Sequence, residues 1–176
     1  MDVAELLGFS PNVRKGGVVL YQWLVFLHVL GVFGFLLAHG VSVFVAFRVQ
    51  REKDIHAIRA LLGLSASAVM MSTFSLLLIL VAGIIAGFMG NWWSMGWIWA
   101  ALGVFVVVWA LMAAFTGPAF RKARIAVGFT GPTTIDESIV SDRLPEALAA
   151  LRPWLPTLTG GIGLVILLWL MMLKPF

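Results

Sequence analysis

The stretch 18–49, VVLYQWLVFLHVLGVFGFLLAHGVSVFVAFRV, decides the fold. It contains no Asp, Glu or Lys, and its one arginine, Arg48, sits next to its end. At ~1.5 Å rise per residue this run makes a helix roughly 48 Å long, well beyond the ~30 Å hydrocarbon core of a bilayer. Such a helix spans a membrane and tilts or protrudes. Tyr21 and Trp23 suit one interface, and Arg48 and Arg51 suit the other. In its interior, only His28 and His39 can take a proton near neutral pH.

The rest of the chain has the same character. Of 176 residues, 61% are hydrophobic and 11% charged, with a mean hydropathy of +1.03. An average soluble domain is about 25% charged, so most of this surface is made for lipid. There is no Cys, which excludes disulfides, thiolate metal sites and a cysteine nucleophile. Positive charge is confined to short clusters beside apolar runs, as in topology control, and no broad basic face suggests nucleic-acid binding.

Working outward from 18–49, a charged link from Arg48 to Arg59 leads to a second apolar segment, 55–89, with Asp54 as its N-cap. So short a link makes the two segments antiparallel neighbours. Gly90-Asn91 breaks the second segment. Trp92, Trp93, Trp97 and Trp99 then crowd one end of a third, as an aromatic belt does at a membrane boundary. The third runs to about Phe115 and is expected to stop at Thr116-Gly117-Pro118. Residues 126–134 read as a loop. Thr134 to Glu137 has the spacing of a capping box and predicts a short polar helix there, and Pro145-Glu146 predicts another. A fourth apolar segment runs from about Thr157 to Leu173.

The expected fold is therefore all-α, an integral membrane four-helix bundle of four transmembrane helices. Its parts are an N-terminal interfacial segment (1–17), helices one to three (18–119), a polar connection (120–155) and helix four with the C-terminus (156–176). The N-terminal part has acidic residues first and does not read as a signal peptide; it reads as a surface helix or a tail. Nine of the 12 Lys and Arg fall after segments one and three. That bias places these connections in the cytoplasm and both termini outside, as in a multi-pass protein of the bacterial inner membrane.

His28 and His39 are eleven residues apart, which returns to within ~20° of the same helix face at ~16 Å along the axis. Gly31, Gly34, Ala38 and Ser42 run beside them and admit a close neighbour. Ionisable groups inside a bilayer point to function, and neutral imidazole ligates haem iron, copper and zinc. Three readings stay open: haem or metal ligation, proton or ion transfer, and plain hydrogen bonds to a Ser, Thr or backbone carbonyl of segment two. No other His lies in an apolar segment, so further ligands would come from Met70, Met71, Met89, Met95, Met112, Met171 or Met172, or from another subunit. On segment two, Ser65, Ala68, Ser72, Ala82, Gly83 and Ala86 form a small face suited to close packing. There is no phosphate loop, nucleophile elbow or His-Glu-x-x-His, so enzymatic activity is not expected.

Phe26-Leu27-His28-Val29-Leu30-Gly31, Ala38-His39-Gly40-Val41-Ser42 and Arg51-Glu52-Lys53-Asp54 together resemble a family of small bacterial membrane proteins catalogued as domain of unknown function 2269. That family is loosely similar to copper-resistance-D-type membrane domains and to the four-helix, haem-associated protoporphyrinogen oxidases. The resemblance covers roughly residues 20–115. It implies a four-helix membrane bundle whose first-helix histidine, His28 here, meets haem or copper. The oxidase-like members carry a Lys or Arg within the bundle; this chain has none, so the resemblance does not extend to oxidase activity.

The sharpest expectation is a haem-b-binding or redox subunit of electron transport, ligated by His28 with His39 second. The alternatives are a structural or accessory subunit of a larger membrane complex or homo-oligomer, and passage of copper or another small ion along His and Met side chains.

Overall fold

The computed structural model describes residues 11–131 and 134–175, with side chains from residue 16. Helix α1 is Pro11–Val49 and α2 is Ile55–Met89. A single 3-10 turn, Trp92–Ser94, leads into α3, Gly96–Leu111. A π-helical turn, Met112–Thr116, joins α3 to α4, Gly117–Ala126. A short α5, Leu144–Ala149, precedes α6, Trp154–Leu173. Four runs are long and apolar enough to cross a membrane: Gly16–Val49, Ile55–Met89, Gly96–Ala126 and Leu144–Leu173.

Helix α1 begins earlier than residue 18, with Pro11 in its first turn, where a missing N–H costs nothing. Residues 11–17 of the expected interfacial segment thus belong to α1, while residues 1–10 lie outside the described residues. Asp54 caps α2 by accepting from His56 N at 3.1 Å. Asn91 takes the left-handed conformation (φ 54°) after Gly90 and turns the chain.

The expected stop at Thr116-Gly117-Pro118 does not occur. Pro118 brings no N–H to the helix ladder. The chain absorbs this by widening one turn, so that Gly117 N donates to Met112 O, five residues back. The third span thereby continues into α4.

The expected polar helix at 134–137 does not form either. Phe129 and Ile135 pair as an isolated antiparallel bridge. The Asp136 carboxylate accepts from Ser138 N (3.0 Å) and Ser138 Oγ (2.6 Å). Arg59, only 7% exposed, claims the carbonyls a helix would use: Nε donates to Val127 O (3.0 Å) and Nη2 to Glu137 O (2.8 Å) and Ile139 O (3.4 Å). The Ser138 hydroxyl, then its N–H, hold the Asp136 carboxyl below its usual range; a slight desolvation opposes this and the Arg59 charge adds a little. The folded pKa is the lower one, so this contribution is present above the ordinary carboxylate range and is lost as pH falls through the depressed value. Acidification is therefore expected to loosen this loop before the helices respond, as amide exchange at residues 134–141 would record.

Gly128 sits at φ +98°, and a Cβ there would run into the Asp136 carbonyl. Gly128→Ala is expected to destabilise the loop by about 1–3 kcal/mol, read as faster proteolysis between α4 and α5.

The helices pack as two pairs. Helix α1 lies along α2, and α3 lies along α6, with α1 touching α6 more briefly. The first pair is close because α2 packs on Gly31 where a Cβ would come within 2.9 Å of Ile79 Cγ1 and 3.1 Å of the Ser75 carbonyl, closer than a side chain tolerates. The second pair encloses Trp97, Ala101 and Leu170. At one end of the bundle lie the basic links, where Val45, Val49, Leu62, Phe120 and Val127 form the largest buried cluster. At the other, Lys174 Nζ sits 4.6 Å above the Trp92 ring and 5.5 Å from that of Trp97, latching the end of α6 to the tryptophan turn.

Candidate functional site

His28 and His39 lie on α1, and each packs against a glycine of a different neighbour. His28 Nδ1 donates to Ile79 O on α2 at 2.8 Å. In a helix, the side chain four residues on shields a carbonyl. Four residues after Ile79 stands Gly83, where a Cβ would lie only 3.0 Å from His28 Nδ1. The absent methyl uncovers the carbonyl and admits the ring. With a carbonyl as partner, Nδ1 carries a proton, and Nε2 is the ring nitrogen without a hydrogen-bond partner among the described residues.

The His39 ring lies against α6 beside Pro156. Four residues after Pro156 stands Gly160, and a Cβ there would collide with the His39 ring. The imidazole stacks on Phe35 (centroids 5.6 Å, planes at 13°), and the Met112 methyl closes on the same glycine. His39 therefore joins the two helix pairs at the level where α1 meets α6.

Among the hydrogen-bonding partners expected on segment two, only the backbone carbonyl of Ile79 receives a histidine. The hydroxyls turn to their own helix: Ser65 to Leu62 O, Ser67 to Gly63 O and Thr73 to Val69 O. The small face of segment two packs as expected, with Ser65, Ala68, Ala82 and Ala86 buried. Met112 is brought close to His39, both lying against Gly160.

These placements bear on haem and metal. Among the described residues no three His, Asp or Glu side chains converge as a metal site. The ring of His39 lies between Phe35, Gly160 and Met112, which crowds that face of the imidazole. His28 retains one ligand atom, Nε2, with the second nitrogen oriented by a backbone carbonyl as metal-bound histidines are.

A cavity of about 350 Å³ lies at the basic end, walled by Ala46, Phe115, Thr116, Phe120, Arg152 and Pro156 among others. It sits beside the π-helical turn, a feature frequent at functional sites. Neither this cavity nor the role of Arg59 was visible in the sequence. Arg59 reads there as one more topology charge, and only its position four residues into an apolar helix marks it out.

No family model, curated protein or solved structure matches the chain. Fold and site together define a multi-pass, four-helix membrane protein.

Proposed function

We propose that the chain is a non-catalytic structural subunit of a larger membrane assembly. We place it in a bacterial cytoplasmic membrane with its basic end inside. The observation that carries this reading is the use of both intramembrane histidines. His28 donates to a backbone carbonyl that Gly83 uncovers, and His39 packs into the space that Gly160 leaves on α6, so both imidazoles act as ties between helices. Interhelical bonds of this kind contribute about 0.6–1.7 kcal/mol in a membrane, enough to fix register. The test is isolation of the tagged protein from its native membrane in mild detergent. Stable companion subunits or a homo-oligomer are expected; a lone monomer under conditions that preserve known complexes would overturn the reading.

A second reading rests on the free Nε2 of His28. There it is one axial ligand of a haem b, or of copper, shared with a partner subunit that provides the other donor. Electron transport would be the service of such a group. An absorption spectrum of the isolated assembly separates the two readings. A Soret band lost in His28→Ala supports ligation; its absence, with His28→Ala changing only stability, supports the structural role.

A further inference from the structure

The basic-end cavity has a mouth and a floor of different chemistry. Ala46, Phe120 and Leu151 form an apolar floor, and Phe120 and Leu151 belong to the buried cluster of that end. At the mouth stand Phe115, 57% exposed on a helix that faces lipid, and Arg152, also exposed. Arg152 is the one charged residue of the lining. Among the described residues its guanidinium makes no ion pair. The Thr116 hydroxyl, in the widened turn, also lines the space without a partner among the described residues. The volume falls in the ~300–1,000 Å³ range of ligand sites. An apolar slot that opens toward lipid beneath a cation, at the level where basic residues mark the membrane surface, complements one class of molecule.

We propose that this cavity holds one acyl chain of an anionic phospholipid, with the head-group phosphate on the Arg152 guanidinium. Arginine presents its N–H groups as a planar fork that matches phosphate oxygens, and Thr116 adds a donor nearby. The chain fills space that packing leaves open between α1, the π-helical turn and α6. The site shares Pro156 with the His39 contact, but its test reads lipid retention and not subunit association, so the two readings fail separately.

The test uses full-length protein in nanodiscs of equimolar phosphatidylglycerol and phosphatidylcholine, extracted in mild detergent and weighed intact with its retained lipid. Wild type is expected to keep one phosphatidylglycerol in preference to phosphatidylcholine by roughly five-fold or more. Arg152→Lys should keep most of the preference, Arg152→Ala should bring it close to parity, and Arg121→Ala, outside the cavity, should leave it unchanged. Ala119→Phe, which fills the slot, should release both lipids. Should that variant fold poorly, the exposed Arg152 series still decides. No preference in wild type overturns the proposal. So does equal loss in Arg152→Ala and Arg121→Ala, which would mean a diffuse surface field. Displacement of the lipid by millimolar inorganic phosphate would show that the anion alone is recognised, and overturns it too.

Discussion

Gly160→Ala is expected to unseat α6 from α1. The added methyl would collide with the His39 ring and press on the Met112 methyl. Met112 ends in a flexible thioether and can move. His39 is stacked on Phe35 and wedged against α6, so it has far less freedom to do so. Overpacking of this kind costs about 1–3 kcal/mol. Reversible unfolding in mixed micelles measures the cost. The stricter check is a cycle with His39→Ala, which removes the obstructing ring. The double variant should be little worse than His39→Ala alone, giving a coupling of about 1 kcal/mol or more. Purely additive effects would show that ring and glycine do not constrain one another. The same change at Gly83 should couple to His28 more weakly, because a Cβ there reaches Nδ1 at 3.0 Å, a contact a small tilt relieves.

The second large effect belongs to Arg59. Its guanidinium holds Val127, Glu137 and Ile139 carbonyls from a 7% exposed position. Hydrogen bonds to a charged donor contribute about 1.5–3 kcal/mol each before losses are shared among them. Arg59→Ala is expected to free the whole connection between α4 and α5. Protease cleavage between residues 128 and 143 should rise by at least ten-fold, while the spans keep their helicity. Arg59→Lys should not restore protection, because an ammonium lacks the planar fork that reaches carbonyls on two sides. Full protection in the lysine variant would show that charge alone suffices.

How much of this was legible in the residues varies with the kind of signal. Helix α2 coincides with its expected bounds because Asp54 and Gly90-Asn91 are local stops whose chemistry needs no neighbour. The third span was misjudged at Thr116-Gly117-Pro118 for the opposite reason. Proline disrupts the ladder, but a continuing apolar run and a one-residue widening let the helix survive it. The capping spacing at Thr134 lost to Arg59, a residue 75 positions away that takes the carbonyls for itself. Histidine spacing correctly set both rings on α1, and small residues announced close neighbours. What a sequence does not display is which carbonyl a glycine uncovers. Ile79 carries no mark as an acceptor until α2 is laid against α1.

The pairing of the third span with the fourth also governs the order of assembly during synthesis. Chains are made from the N-terminus. The hairpin of α1 and α2 has its histidine tie at Ile79 and its glycine contacts as soon as α2 is made. The third span then enters the bilayer with the faces of Trp97, Ala101 and Val108 uncovered, since their partners Leu170 and Gly163 are still to come. Through that interval it is an orphan span, the form that membrane insertases shelter and quality-control proteases remove. A nonsense mutation before Trp154 therefore leaves a well-made first hairpin carrying a marker for degradation.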